Sequence, residues 1–542
     1  MQLRRQVIVL GAVLLATPFS QAQYNRGIAA ETRPEQAQVG QVAMANSCSD
    51  AATAHFQRGL ALMHSFWWEE ARKAFHSAAE ADSDCAMAYW GVAMSYNDDL
   101  HGAPSEEDIK NALQAVEKAH AAKPRTERER AYISAVESLY RGHPRLNRWE
   151  RDLAYNRAME KIYLAYPEDQ EAATFYSLSL LALARRSEES GYRLQEQAAQ
   201  MLEPLFADLP NHPGLAHYLI HTYDDSGQWE RGLAAARRYA KIAPAVTHAQ
   251  HMPSHIFAGL GMWDEAIASN LGALAASPSY YHALGYVVYS RLQKGQFRQA
   301  ERLVEEHKSL TLAVPGQRAE RRALEDLETR LLLETRRWKE AANVPTYLDT
   351  PLEKAAALYA RGLGAAHTGD FQAATRNLEE LRAIAQQLDS SSDSGMVVRA
   401  RRIAIQAKQV EATIRLAQKR GEEAVRLMQE ACQMEDDPEV DRFPPDSGTG
   451  FPAHEFFGEI LLELDRPQEA KREFAMALKR TPRRLHSVYG LAKAAALSGD
   501  HETARVQYEA LLQLLEHADA GLPEAEEGRK YLANRKAASL VQ

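Results

Sequence analysis

The feature that most constrains this chain is a fixed sequence period of about 34 residues, which indicates stacked supersecondary units. A small residue at a turn, followed five positions later by another small residue, recurs along the chain. The pairs are Gly227 and Gly232, Gly261 and Ala266, Gly295 and Ala300, Gly369 and Ala374, Asp465 and Ala470, and Gly499 and Ala504. The first three pairs follow one another at this period, and so do the last two. Because good helix formers dominate and no apolar alternation of period two is sustained, the unit is helical.

The pattern around these pairs resembles the tetratricopeptide repeat (TPR). Residues 451–484 carry Gly458, Leu461, Ala470, Phe474, Ala477 and Pro482 at places 8, 11, 20, 24, 27 and 32 of a repeat. Residues 52–85 carry Gly59, Leu62, Ala71, Phe75 and Ala78 at the first five of those places. Small residues at places 8 and 20 let the two helices of a hairpin approach closely, and larger residues at places 4, 7, 11 and 24 fill the space between hairpins. The resemblance implies an all-α fold, a right-handed TPR-type α-solenoid of about ten to twelve helical hairpins.

The repeat pattern also organises the chain. We expect hairpins at 52–85, 86–122, 127–165, 171–210, 213–246, 247–280, 281–314, 322–354, 355–388, 397–433, 451–484 and 485–518. The resulting segments are a signal peptide (1–22), an extended segment (23–47), a solenoid with the His cluster (48–388), a linker (389–396), a hairpin (397–433), a loop (434–450), and C-terminal repeats with a tail (451–542).

The N-terminus predicts export. Arg4 and Arg5 precede an apolar stretch at 7–15, and the small-x-small sequence at 20–22 is typical of signal-peptide cleavage. An uncleaved membrane anchor is the alternative. No later stretch is apolar for long enough to span a bilayer, so we expect a periplasmic or secreted protein without membrane insertion after cleavage. The net charge of −9 argues against nucleic acid and anionic membranes as partners, since both require a basic face.

The chain has three cysteines. Cys48 precedes the first helix of the first hairpin and Cys85 opens the first helix of the next, so their ends can be neighbours. An oxidising compartment permits a disulfide between them. Cys432, on a predicted second helix, is then the free and buried thiol.

Histidines concentrate in the middle of the solenoid. Seven of the 19 lie between positions 212 and 282, namely His212, His217, His221, His248, His251, His255 and His282. His217 and His221 occupy places 5 and 9 of one repeat, and His251 and His255 occupy the same places of the next. His248 and His282 both stand at place 2, and Asp224 stands at place 12. The TPR resemblance implies that places 2, 5, 9 and 12 face the concave groove.

This register predicts a metal centre. Two His at i and i+4 lie on one helix face with their Cβ atoms about 5–6 Å apart, a suitable span for sharing one ion. We expect His217, His221, His251 and His255 to bind one or two transition-metal ions, with His282 as an additional ligand and His248 or Asp224 as partners. Neutral imidazole favours Cu or Zn, with Fe as a further candidate.

Pro253 complicates the second pair because it lies between His251 and His255 within the expected helix. Proline removes a helix hydrogen bond and clashes with the preceding turn, so the helix either begins late or kinks there.

A narrower resemblance rests on four segments: HYLIHTYD at 217–224, HMPSHIF at 251–257, PAHE at 452–455 and CAMAYWG at 85–91. They are similar to segments of a group of exported bacterial TPR proteins. The resemblance implies the fold and the export, and it implies that the His segments are characteristic of the group, but it carries no assigned activity.

The leading interpretation is an exported metalloprotein with its centre in the groove, an enzyme of redox or hydrolytic chemistry on an unknown substrate. Tyr223, Asp224 and Tyr289 are then the candidate acid–base or redox groups, and Tyr289 is expected beside His282. Two alternatives stay open: a periplasmic scaffold that binds a peptide in the groove, and a metal carrier or sensor. In each case the partner is a small molecule or peptide held in the groove.

Other candidates are weaker. His454 and Glu455 are interpreted as a packing residue and an exposed acid. His64 and His101 can reach the groove only if the superhelix closes tightly. The sequence has no P-loop, no nucleophile elbow, no Cys-x-x-Cys and no His-Glu-x-x-His.

Overall fold

The structure is a computed structural model that describes residues 37–539, apart from 99, 101, 187–191, 225–226, 315, 317, 392–393, 438–439 and 441–449. The predicted signal peptide, most of the segment 23–47, His101 and most of the predicted loop 434–450 therefore lie outside the described residues.

The first half of the chain forms six helix pairs joined by turns. They are α1 (Asp50–His64) with α2 (Trp68–Ala81), α3 (Ala86–Met94) with α4 (Glu106–Ala121), α5 (Glu127–Ser138) with α6 (Arg148–Ala165), α7 (Gln170–Arg186) with α8 (Arg193–Asp208), α9 (Pro213–Tyr223) with α10 (Trp229–Ile242), and α11 (Thr247–His251) plus α12 (Pro253–Gly259) with α13 (Trp263–Ala276).

The second half continues the pattern and ends on a single helix. The pairs are α14 (Tyr281–Gln293) with α15 (Phe297–Ala313), α16 (Arg318–Glu334) with α17 (Trp338–Ala341), α18 (Pro351–Thr368) with α19 (Phe371–Asp389), α20 (Ser394–Ala417) with α21 (Gly421–Glu435), α22 (Ala453–Glu463) with α23 (Pro467–Arg480), and α24 (Leu485–Leu497) with α25 (His501–Leu514), followed by α26 (Pro523–Ser539). No strand occurs in the part of the chain that the structure describes. The predicted all-α TPR-type solenoid is confirmed.

The packing of the hairpins follows the predicted small and large places. Phe75, at place 24 of the first repeat, is fully buried. A Cβ added to Gly59 would lie 2.8 Å from its ring, and a Cβ added to Gly91 would lie 2.3 Å from it. Phe474 lies between Gly458 and Gly490 in the same way. The glycines are required because the aromatic ring occupies the space that any side chain would need.

Pro253 breaks one helix in two. α11 ends at His251 and α12 begins at Pro253, while Met252 between them keeps helical dihedrals of −52° and −37°. Of the two expected outcomes, the structure has the kink, because proline cannot donate the hydrogen bond that a continuous helix requires at this position. A second irregularity is α17, which has only four residues. Pro345 follows shortly after it and disfavours helix at the preceding residue.

The solenoid contacts itself at both ends. Before α1, the amide of Gln41 donates to the carbonyl of Asn211 (3.0 Å), and the predicted disulfide between Cys48 and Cys85 is present, with Cα atoms 4.7 Å apart. Near the C-terminus, the Trp263 indole donates to the carbonyl of Arg483 (3.0 Å). A Cβ at Gly261 would lie 2.3 Å from the Pro482 carbonyl oxygen. Hairpins distant in sequence therefore pack against each other.

Cys432 is free and buried, as expected. Among the described helices, none combines the length and the apolar character needed to cross a membrane.

Candidate metal centre

Three consecutive first helices carry the six candidate histidines. His217 and His221 lie on α9, His248 and His251 on α11, His255 on α12, and His282 on α14. These helices occupy the same position in successive hairpins, so residues at equal places of the repeat follow one another along the groove.

The six histidines form two clusters of three. In each cluster, the possible ligand atoms all lie within 4.8 Å of one another. The inner cluster is His217, His221 and His248, and the outer cluster is His251, His255 and His282. Each cluster thus combines places 5 and 9 of one repeat with place 2 of the next. The four place-5 and place-9 residues do not form one four-ligand set, and His248 belongs to a cluster itself.

Both clusters bring two imidazole nitrogens face to face. His217 Nε2 lies 3.0 Å from His248 Nε2, and His251 Nε2 lies 3.0 Å from His255 Nε2. The clusters are also neighbours, because the ring centroids of His248 and His251 are 6.4 Å apart.

Hydrogen bonds fix the tautomers of the two place-5 histidines. His217 Nδ1 donates to the main-chain carbonyl of His64 (2.7 Å), and His251 Nδ1 donates to Asn270 Oδ1 (2.6 Å). The Asn270 amide is oriented by its own donation to the Ala266 carbonyl (2.8 Å). Since each Nδ1 carries the proton, each Nε2 of a neutral ring presents a lone pair to its cluster.

Asp224 connects the two clusters. Its Oδ2 lies 3.3 Å from His221 Nδ1 and 3.5 Å from His255 Nδ1. Burial opposes ionisation, but hydrogen bonds from both histidines and the positive charge of Arg185 outweigh it and hold the pKa of Asp224 well below its usual value. The carboxylate therefore lies beside one histidine of each cluster and is hydrogen-bonded to His221.

Exposure distinguishes the clusters. His217 and His251 are 0% exposed and His248 and His255 are half-buried, so the clusters differ at the third ring: His221 is 5% exposed and His282 is exposed. The α1–α2 turn covers the inner cluster, so places that the repeat pattern assigns to the groove surface are buried. His64 also reaches this region: it is fully buried, and its carbonyl accepts from His217.

A third group of possible ligands lies behind the inner cluster. His64 Nε2 is 2.8 Å from Glu171 Oε2, and His212 Nε2 is 3.0 Å from Glu171 Oε1. Burial opposes ionisation of Glu171, but the two histidines more than compensate and lower its pKa strongly. His212 Nδ1 accepts from the Leu215 amide, and His64 Nδ1 is 2.9 Å from the hydroxyl of Tyr218. Because every polar atom has a protein partner, we assign this group a structural role.

The two candidate tyrosines have other partners. The Tyr223 hydroxyl donates to Glu203, and burial with that hydrogen bond raises its pKa. Tyr223 stands at place 11 of its repeat. This place faces the neighbouring helix, so the side chain points toward Glu203. The Tyr289 hydroxyl accepts from Arg484 (3.0 Å), and burial raises its pKa to about 12. Its ring packs against Trp263, with the centroids 5.6 Å apart.

The interpretation of Glu455 as an exposed acid is wrong. Glu455 is 0% exposed and accepts from Arg484 Nε (2.8 Å) and Ser487 Oγ (2.6 Å). The C-terminal repeat covers it, which the local pattern does not reveal. His454 packs as expected, with Nδ1 2.7 Å from Glu473 and Nε2 3.1 Å from Asp436.

The pattern of histidines does not single out two further residues of the site, although the repeat register marks both. Asn270 occupies place 24, where Phe75 and Phe474 stand in other repeats, so a polar residue at a core place marks it. Phe66 occupies place 15, the turn position at which Gly261 and its equivalents stand, and its ring centroid lies 4.4 Å from that of His217.

The fold and the site define a class: a TPR-type helical solenoid with two tri-histidine clusters on the first helices of three successive hairpins.

Comparisons with known proteins add little to this description. No protein-family model matches the chain, and no curated protein matches it either. Solved structures that resemble it include human IFIT1 as a dimer with m7Gppp-AAAA (15% identity, 87% of this chain and 91% of that chain covered, TM-score 0.36). Yeast Tom70 (14% identity, 91% and 96% covered, TM-score 0.29) and Naa15/Naa10 bound to HypK-THB (12% identity, 90% and 74% covered, TM-score 0.25) are further examples. Similarity this low says nothing about function.

Proposed function

We propose that this chain is an exported TPR-type solenoid that binds two transition-metal ions in its groove, one at each tri-histidine cluster. Cu or Zn is favoured and Fe is a further candidate, because sites made only of imidazole nitrogen suit these metals, whereas Mg and Ca prefer oxygen. We also propose that the chain is one of the exported bacterial TPR proteins that its four segments resemble.

The facing nitrogens of the outer cluster carry the proposal. His251 uses its Nδ1 proton for Asn270, and His255 directs Nδ1 toward the Asp224 carboxylate. Neutral rings with these protons present two lone pairs to each other across 3.0 Å. Such a pair needs a metal ion between the nitrogens, whereas a His255 protonated at Nε2 would instead donate a hydrogen bond to His251.

A metal ion fits the arrangement better than a proton. A hydrogen bond between the two rings would satisfy one facing pair, but it would leave the third histidine of each cluster unexplained. Metal–nitrogen distances of about 2.0–2.1 Å allow one ion to contact all three rings of a cluster. The same set of three histidines also recurs one repeat later, which neither core packing nor a single proton requires.

Three imidazoles leave room for a further ligand, as in catalytic zinc and copper sites. In this scheme the six histidines hold the ions, while Asn270, Asp224 and the His64 carbonyl orient the ligating rings. A bound metal would supply Lewis-acid or redox chemistry. An enzyme and a metal carrier share this description, and turnover of a substrate separates them.

The disulfide supports the export part of the proposal. Disulfides persist in oxidising compartments, and Cys48 and Cys85 are joined. Signal-peptide cleavage near residue 22, seen by N-terminal sequencing of the soluble periplasmic or secreted protein, would agree. An intact N-terminus found only in membranes would contradict it.

Metal analysis of the purified chain tests the proposal. Mass spectrometry after equilibration with Cu or Zn should find two ions per chain in the wild type. Either His248→Gln or His282→Gln should leave one tightly bound ion, because each removes one ligand of a single cluster.

His55→Gln is the matched control, since His55 is exposed and belongs to neither cluster. It should keep two ions. A wild-type protein that binds none, or cluster variants that retain two ions at wild-type affinity, would refute the proposal.

A further inference from the structure

The two clusters differ in what covers them. Every ring of the inner cluster contacts Phe66: its centroid lies 4.4 Å from His217, 5.6 Å from His248 and 6.0 Å from His221, and it is stacked on the last two. Phe66 is itself only 5% exposed. Every ring of the outer cluster likewise contacts Tyr286, with centroids 5.2 Å from His251, 5.2 Å from His255 and 5.3 Å from His282, but His282 is exposed.

Phe66 stands at an unusual position for a phenylalanine. It is the turn residue between α1 and α2 and has a left-handed φ of +54°. Equivalent turn residues with positive φ in the described hairpins are Gly227, Gly261, Gly295, Arg336, Gly369, Lys419, Asp465 and Gly499. Phe66 is the one apolar side chain among these turns.

Left-handed backbone is unfavourable for a bulky residue relative to glycine. Glycine would therefore favour the turn, and Phe66 persists at a conformational cost that its packing must offset. Its ring packs against the three histidines of the inner cluster and also against Trp68 (4.9 Å) and Tyr218 (6.1 Å). Solvent access and local dielectric around a metal site are controlled by such an apolar cover.

We infer that the two centres have different roles: Phe66 closes the inner centre to outside ligands, and the outer centre is where a small exogenous ligand or substrate coordinates. This inference rests on the proposed function, since it assigns roles to the two ions.

Release of the ions to a chelator tests the inference. Protein loaded with two Cu(II) ions is mixed with excess EDTA, and release is followed by absorbance. We expect two phases of one ion each, with the slow phase about tenfold slower or more. His282→Gln should abolish the fast phase and His248→Gln the slow one. Azide, a small anionic ligand, should perturb the spectrum with one equivalent bound per chain.

Phe66→Gly, which installs the residue common at this turn, should keep two ions but accelerate the slow phase to nearly the rate of the fast one. It should also allow a second equivalent of azide to bind. Phe66→Leu, which keeps an apolar side chain over the rings, should give an intermediate rate. Asp465→Gly makes the same turn change in the α22–α23 hairpin and should leave both phases unchanged.

The outcomes separate the two hypotheses. A wild type that binds no ion ends the proposed function. A wild type that binds two ions but releases both at one rate, or a Phe66→Gly protein with two ions and an unchanged slow phase, overturns the inference and leaves the proposed function intact.

Discussion

At the scale of single residues, the site depends on side chains that fix the orientation of the ligating rings. His217 and His251 stand at the same place of successive repeats, yet one donates to a main-chain carbonyl and the other to Asn270. The repeat sets the position of each ring, and a different hydrogen-bond acceptor fixes the tautomer of each. Outer partners of this kind commonly matter for metal affinity nearly as much as the ligands do.

Asp224 is the partner shared by both clusters, so its loss should affect both ions. Asp224→Asn removes the negative charge that lies beside His221 Nδ1 and His255 Nδ1, and we expect the affinity for each ion to fall about tenfold. Competition titration with a chromophoric chelator measures both affinities. Asp264→Asn, which changes an exposed carboxylate paired with Lys294, is the control and should change neither. Loss of affinity at one cluster only would contradict the shared role.

A pH effect on stability is expected at Glu325, which is 2% exposed and accepts from the Tyr347 amide (2.8 Å). Burial raises its pKa to about 7, with a smaller contribution from Asp326. A carboxyl group whose folded pKa is raised stabilises the fold fully below its unfolded pKa and loses that contribution as pH rises through about 7. Glu325→Gln should therefore increase the free energy of unfolding by about 1–2 kcal/mol at pH 8 and change it little at pH 4.

Chemical denaturation at the two pH values measures this difference. Glu516→Gln, at an exposed position, should show no such dependence on pH. An equal effect of Glu325→Gln at both pH values would exclude the titration of Glu325 as the cause.

At the scale of helices and hairpins, most of the arrangement follows from the sequence. The repeat period predicts where hairpins begin and end, because small residues at places 8 and 20 and a large residue at place 24 describe packing between adjacent helices. Pro253 predicts a disturbance of one first helix. Whether that helix kinks or starts late depends on whether packing against neighbouring helices stabilises the short α11. The local sequence does not predict this packing. The sequence likewise does not show that place 2 pairs with places 5 and 9 of the preceding repeat, because this pairing depends on the spacing between helices.

The kink at Pro253 should matter for the outer cluster. Pro253→Ala restores an amide and removes the ring, so α11 and α12 can merge into one regular helix. Because His251 and His255 lie on opposite sides of the kink, straightening should move their nitrogens apart from the present 3.0 Å. We expect about tenfold weaker binding at the outer cluster and unchanged binding at the inner one.

Metal competition on the His248→Gln and His282→Gln backgrounds resolves the two affinities in the Pro253→Ala protein. Pro467→Ala is the matched control, since Pro467 stands in the first turn of α23, where proline is tolerated. Unchanged binding at the outer cluster in Pro253→Ala would show that the kink does not set its geometry.

At the scale of the whole molecule, the solenoid departs from nearest-neighbour packing. Arg484 is 2% exposed and donates to Glu455 (2.8 Å), Glu334 (2.7 Å) and the Tyr289 hydroxyl (3.0 Å). Its partners belong to α22, α16 and α14, so one side chain joins four hairpins. The repeat pattern encodes contacts between adjacent hairpins only, and a contact across 195 residues lies beyond its reach. The burial of Glu455 and the hydrogen bond between Arg484 and Tyr289 depend on this contact between distant hairpins. The repeat pattern therefore predicts neither of them.

Arg484→Ala should therefore change how the molecule unfolds. A solenoid whose repeats contact only their neighbours can unfold in parts, whereas contacts between distant hairpins couple those parts. The substitution leaves Glu334 and Glu455 buried without their cation, which costs about 3–5 kcal/mol. We expect the single thermal transition of the wild type, followed by calorimetry, to separate into two, with the C-terminal hairpins melting first.

Arg484→Met should behave similarly, because it restores packing but not the charge. Arg505→Ala is the control: Arg505 pairs with Glu502 and Glu509 on its own exposed helix face and should leave the transition unchanged. A single transition of unchanged midpoint in Arg484→Ala would mean that the closure of the solenoid rests on its apolar contacts alone.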